Sequence, residues 1–248
     1  ADKVAKSPSD GYTLLLTSSA LTISKAMGIQ RTFDLLKDLE PLALVASAPA
    51  ILVVGPAIRP ESVSKLIEMA RTRPFRLSYA STGVGSPSHL TAELFSMSQK
   101  FSAVHVPYTG TPGALNAQLT GQVDYQFANA YLAMQQIRLG KIKALAVTGA
   151  KRLAAMPQVP TMAETGTPDL DVENWMGLFA PRGLPKPVAE RLALEVRKVL
   201  SAADLRQVLT QAEIAIPDEG TPAAFEALVR QDLAKWSAVV KAQGIVPE

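Results

Sequence analysis

There is no cysteine among the 248 residues. That excludes disulfides, cysteine nucleophiles and thiolate metal sites, and it suits a cytoplasmic or a bacterial periplasmic home alike. Histidine is nearly absent: only His89 and His105 occur, too few for most metal centres or a rich acid/base site. No run of about 18 apolar residues is present, so no segment reads as a membrane-crossing helix. Lysine and arginine are scattered, and the formal charge is a small +3, which leaves no footprint for nucleic acid. The loops carry no paired carboxylates, and Asp124 and Glu93 read as solvated or capping residues. The chain opens Ala-Asp-Lys-Val-Ala-Lys-Ser-Pro with no apolar core behind it. It therefore reads as a mature protein whose signal peptide has been cleaved, or as one whose beginning is missing.

What is present is an apolar content of 48%, ample for a packed core, distributed with α/β periodicity. Gly11–Thr17 reads as a strand and Asp34–Leu39 as a helical turn, and Pro49 splits the apolar stretch Leu42–Val54 into two strand candidates. After an amphipathic helix over 61–72, strand, small-residue loop and helix repeat three times. The strands are Leu77–Ala80, Ala103–Tyr108 and Val123–Phe127, and a further strand follows at Lys143–Thr148. Such alternation predicts a parallel-rich sheet covered by helices. It places the loops Ser81–Ser88, Thr109–Gly113 and Ala128–Ala130 at like ends of strands. A returning strand, Asn174–Pro181, precedes helices over 186–202, 204–212 and 221–243. The expected division is residues 1–54 with 174–248, and residues 55–173.

Ser81-Thr-Gly-Val-Gly-Ser-Pro-Ser-His89 is the informative loop. It lacks the Gly-Lys-Ser/Thr end of a P-loop and the third glycine of a dinucleotide fingerprint. Backbone N–H groups at a helix start suit a smaller anion such as a carboxylate. An ordinary strand-to-helix connection, capped by its serines and threonine, accounts for the same residues. Ser18 and Ser19 end the first strand in a similar small polar loop. Tyr108, directly before a Gly/Thr loop, is the tyrosine best placed to touch a ligand. Trp175 reads as a core residue and His105 as a structural histidine inside its strand. Ser86 and His89 lack an obvious third member for a hydrolytic triad.

Several phrases in order carry a resemblance: Ser7–Leu16 around Pro-Ser-Asp-Gly-Tyr-Thr-Leu-Leu, Ser78–Leu90, His105–Gly110, Arg138–Thr148, Arg152–Gly166 and Trp175–Pro181. Together, from about Val4 onward, the chain resembles the Bug family of periplasmic solute-binding proteins of tripartite tricarboxylate transporters. The resemblance implies a type II periplasmic-binding-protein fold, two α/β domains joined by two crossover strands and closing on a ligand like a flytrap. It implies a monomeric, non-enzymatic periplasmic protein without cofactor or metal. Such a protein captures a small organic carboxylate and delivers it to the membrane permease subunits of a tripartite transporter. Family sites hold the carboxylate with backbone amides, small side chains and water. Carried over by motif, the ligand-binding candidates are Ser81, Thr82, Gly83, Gly85, Ser86, Ser88 and His89, then Tyr108, Thr109, Gly110 and Asn129, with Ser18 and Ser19 in the first domain. Family members begin with several dozen further residues, including a Pro-Gly-Gly loop that supplies the first domain's half of the site, and this chain starts after it. The phrase Ser18-Ser-Ala-Leu-Thr-Ile23 also departs from the family's His/Asn-containing one. Two other classes stand beside this reading: a cytoplasmic or orphan ligand-sensing module signalling to a protein partner, and a hydrolase using Ser86 and His89.

Overall fold

Strand β2 is the longest in the molecule, and it forms where a break is expected. The computed structural model describes residues 1–29, 32–72, 76–217 and 220–246. In it α1 (Asp2–Ala5), β1 (Leu15–Ser18), α2 (Ala20–Ala26) and α3 (Leu35–Asp38) lead into β2 (Leu39–Val54), one strand of 16 residues. Pro49 does not split it. The register with β5 begins at Ala50 and that with β6 at Ile51, so neither calls on the N–H that Pro49 lacks. β1 is shorter than expected, because Asp10 accepts a hydrogen bond from Tyr12 N–H and holds the Gly11 region in a turn.

Beyond β2 come α4 (Val63–Thr72), β3 (Ser78–Ser81), α5 (Pro87–Gln99), β4 (Val104–Pro107), α6 (Gly110–Leu119), β5 (Tyr125–Asn129), α7 (Ala130–Arg138) and β6 (Lys143–Val147). The stretch 152–170 is irregular apart from two short 3-10 turns at Ala163–Thr165 and Pro168–Leu170. Then follow β7 (Glu173–Pro181), α8 (Lys186–Leu200), α9 (Ala203–Gln211) and α10 (Pro222–Gln243). The chain makes two compact units, one of residues 1–47 with 174–238, the other of residues 48–173 with 239–246.

In the first unit β7 lies between β1 and β2, with β1 antiparallel to it from Leu15↔Phe179 to Ser18↔Met176. The core gathers Leu21, Leu35, Leu39, Trp175, Phe179, Phe225 and Val229. Phe225, Val229, Asp232 and Trp236 of α10 are all buried, at the spacing of one helix face. Asp232 is a buried carboxylate that accepts from Thr22 Oγ1 (2.5 Å) and Trp175 Nε1 (3.0 Å). Burial pushes its pKa up, against the pull of those donors.

In the second unit β3 is parallel both to β4 (Ser78↔Val104 to Ser81↔Pro107) and to β5 (Tyr79↔Tyr125, Ala80↔Gln126). β2 runs antiparallel to β5 and β6, which flank it. β6 is thus joined through β2 rather than continuing the parallel set.

Gly177 in β7 stands where a Cβ would enter the Phe225 ring. Gly177→Ala is expected to destabilise the first unit by about 1–3 kcal/mol through overpacking, read as a lower urea midpoint at an unchanged slope. An unshifted midpoint would show that the ring is free to move aside.

Candidate functional site

Parallel pairing puts the C-terminal ends of β3, β4 and β5 on one edge of the second unit's sheet. A helix starts at each end: α5 at Pro87, α6 at Gly110 and α7 at Ala130. Three positive helix ends, each equivalent to about half an elementary charge, therefore lie along one edge. The loops between contain no charged side chain. Two of them are tied together by Tyr108 N–H to Ser81 O (3.0 Å) and Gly110 N–H to Thr82 O (3.4 Å).

Most of the first loop's N–H groups are already used within it. Thr82 N–H donates to Ser88 Oγ (3.0 Å), Gly83 N–H to Ser81 Oγ (3.2 Å), Gly85 N–H to His89 Nδ1 (3.1 Å) and Ser86 N–H to Gly83 O (3.1 Å). Ser86 is the N-cap of α5, accepting from His89 N–H (3.3 Å), and Pro87 fills the first helical position. Gly83 (φ +130°) and Gly85 (φ +72°) adopt backbone that L-residues rarely do. Their part in the loop is conformational. Among the described residues, the N–H groups of Val84, Ser88, Ala130 and Tyr131 have no acceptor. Beside them Ser88 Oγ lies 3.3 Å from Thr82 Oγ1 and 3.1 Å from Ser86 Oγ, a half-buried cluster of three hydroxyls.

Beneath this loop lies an aromatic stack. His89 and His105 are 3.9 Å apart between centroids and 8° from parallel, and Tyr79 covers His105 at 4.9 Å. His105 Nε2 meets Ser81 Oγ at 2.6 Å. Tyr79 OH donates to Glu93 Oε1, which lies 4.0 Å from His89 Nε2. Burial lowers both imidazole pKa values to about 4, His89 being further depressed by the His105 ring. Burial raises the Glu93 carboxyl, with the Tyr79 hydrogen bond pulling the other way. Both rings are neutral at pH 7.

Residues 1–245 match the family described as the tripartite tricarboxylate transporter family receptor. The protein BugT of Bordetella pertussis is 30% identical over 245 residues, 98% of this chain and 75% of that one. The chain belongs to this receptor family. MatC (Rpa3494) from Rhodopseudomonas palustris, solved with bound malate, superposes with a TM-score of 0.82 at 31% identity, covering 96% of this chain and 82% of that one. Rpa4515 from R. palustris, solved with adipate, gives 0.84 at 31% identity, covering 100% and 83%. The fold is thus the type II periplasmic-binding-protein fold, and the family one of solute receptors.

In this receptor, Ser81, Thr82, Gly83, Gly85, Ser86, Ser88, Tyr108, Thr109, Gly110 and Asn129 share the edge just described. Asn129 is exposed and caps α7 through Oδ1 to Leu132 N–H (3.3 Å), while Thr109 is exposed with its hydroxyl making no cap bond. Tyr108 is half-buried against Ala80, Ala114 and Ala117. His89 is only 5% exposed, and its ring nitrogens face Gly85 and Glu93. The Ser86–His89 pair a hydrolase needs does not form, since Ser86 Oγ meets the backbone N–H of His89 and not its ring. Ser18 and Ser19 belong to the other unit. Ser19 N–H bonds Trp175 O (3.0 Å), and its buried hydroxyl has no partner. Three further residues stand at or beneath this edge: His105 and Glu93, which read from sequence as a structural histidine and a solvated or capping carboxylate, and Tyr131, 57% exposed at the start of α7. An aromatic directly after a helix cap was the available signal.

The histidine shifts fix a sign for pH dependence. Each ring's pKa is about 4 in the fold against 6.5 ordinarily, so the neutral ring favours folding. That contribution is complete above pH 6.5 and is lost as pH falls from there toward 4. Glu93 and Asp232, both shifted upward, act in the opposite sense and offset part of it. Stability is expected to fall by on the order of 2 kcal/mol between pH 7 and pH 5, read from urea midpoints. Equal midpoints in both the parent and Glu93→Gln, which removes Glu93's share of the offset, would mean the rings are not held neutral.

Proposed function

We propose that this receptor works in the periplasm, where it captures a small organic carboxylate and hands it to the membrane permease subunits of a tripartite tricarboxylate transporter. The carrying observation is the edge where α5, α6 and α7 begin: three helix N-termini and a hydroxyl cluster with no acidic or basic side chain among the loops. Such an edge attracts an anion through fixed dipoles and hydrogen-bond donors alone.

The donors suit a carboxylate. Thr82, Ser86 and Ser88 hydroxyls, with Val84 and Ser88 N–H, can meet two oxygens without desolvating a counter-charge. MatC with malate and Rpa4515 with adipate support the same ligand class at 31% identity. The exposed Tyr131 and Leu132 beside Asn129 supply an apolar border for the rest of the ligand.

Calorimetry against a panel of mono-, di- and tricarboxylates that includes malate and adipate is expected to give saturable binding. Thermal melts with millimolar acid are expected to rise accordingly. A protein that binds none of the panel would defeat this reading. Gly85→Val forces a β-branched residue to φ +72°, at a cost of about 1–3 kcal/mol. It is expected to abolish the ligand-induced melting shift while circular dichroism still reports a folded chain.

A further inference from the structure

We propose that His89 and His105 are positioning residues for the ligand loop: a stacked pair of imidazoles that fixes Gly85 and Ser81 from beneath, and so sets the receptor's affinity without either ring touching the ligand. The affinity half of this statement rests on the carboxylate reading above, whereas the positioning half does not.

The loop needs such pins. Gly83 and Gly85 hold left-handed backbone, and a glycine pair of this kind has more unfolded freedom to lose than any other residues. Two bonds from outside the loop's own turn oppose that freedom. The first is Gly85 N–H to His89 Nδ1, at 3.1 Å. Since Nδ1 accepts, the ring's single proton sits on Nε2, the nitrogen that faces Glu93 Oε1 at 4.0 Å. The second is His105 Nε2 to Ser81 Oγ at 2.6 Å, and Ser81 Oγ also receives Gly83 N–H at 3.2 Å. One ring therefore orients Gly85, and the other orients Gly83 through a serine.

The stack explains why the two rings hold still. His105 lies between Tyr79 and His89 with interplanar angles of 17° and 8°, so it cannot turn its nitrogens away without breaking ring contacts on both sides, nor can His89 without breaking its contact with His105. The groups facing the pair are Glu93 on α5, Tyr79 on β3 and, beyond Tyr79 at 5.6 Å, Tyr125 on β5. Among the described residues no lysine or arginine forms an ion pair with Glu93 or either ring. Glu93 faces Nε2 of His89, the nitrogen that already carries the proton, and not Nδ1. A protonated Nδ1 would turn the acceptor for Gly85 into a second donor and push that amide away.

The test uses the full chain and pairs each disruptive variant with a conservative one. His89→Phe keeps the ring packing and removes the acceptor, while His89→Asn restores an acceptor near the Nδ1 position. His105→Phe and His105→Gln make the same contrast at Ser81. Amide hydrogen exchange in the absence of any acid is expected to be at least tenfold faster at Gly85 in His89→Phe and at Gly83 in His105→Phe. It should return to within about threefold of the parent in the Asn and Gln variants. Kd for malate or adipate should weaken tenfold or more in the two Phe variants and recover in their conservative partners. Parental exchange rates, or parental affinities, in folded Phe variants overturn the proposal. Should a Phe variant fail to fold, nitrogen-15 shifts of the two imidazoles in the parent protein decide. A neutral His89 protonated on Nε2 is expected, and a proton on Nδ1 overturns it. If the parent binds no acid of the carboxylate panel, the carboxylate reading fails, and the exchange rates and imidazole shifts still settle the positioning role.

Discussion

Parallel pairing of β3 with β4 on one side and β5 on the other is the constraint from which the candidate site follows. Parallel strands must end on the same edge, and each of these runs directly into a helix. The backbone therefore delivers three helix N-termini, with their unsatisfied N–H groups, to one place before any side chain is considered. The loops there need only be small enough to expose those groups and polar enough to supplement them. Ser, Thr, Gly and Asn meet both conditions. A lysine or arginine would bring a solvated charge that must be stripped of water to bind an anion.

The neutral edge is stiff because its polar groups are largely satisfied among themselves. Thr82, Gly83, Gly85 and Ser86 each place an N–H on a neighbour within the loop or on the helix that follows. What remains open is a short set of hydroxyls and amides, which narrows the geometry a ligand can meet. Each unit also holds a carboxyl on neutral donors: the buried Asp232 with Thr22 and Trp175, and the half-buried Glu93 with Tyr79. In both, burial raises the pKa while the donors moderate it. Neutral hydroxyl and indole donors satisfy part of each carboxyl's hydrogen-bonding capacity, and at Asp232 the charge of Lys235 adds to them.

Much of this was legible residue by residue. The strand–loop–helix repeat and the small polar cap that opens α5 before Pro87 are local signals with local causes. So is the family resemblance, since its phrases sit at turns and loops where few residue types fit. Other features were not legible. Pro49 reads as a strand breaker, and only the register with β5 and β6, which begins just beyond it, shows that those two strands do not need its missing N–H. His105 reads as a histidine in a strand, because Ser81 lies 24 residues away from it in sequence.

The sequence alone determined that three small polar loops end three strands, that no charged residue stands in them, and that glycines occupy positions 83 and 85. These depend on residue type and spacing, which any reader of the chain can see. Tertiary structure decided which amides remain free, that Gly85 leans on His89, and that two histidines and a tyrosine stack beneath the loop. Those facts depend on strand register and ring orientation. Both are fixed only when β3, β4 and α5 pack together, at distances no spacing in the chain encodes.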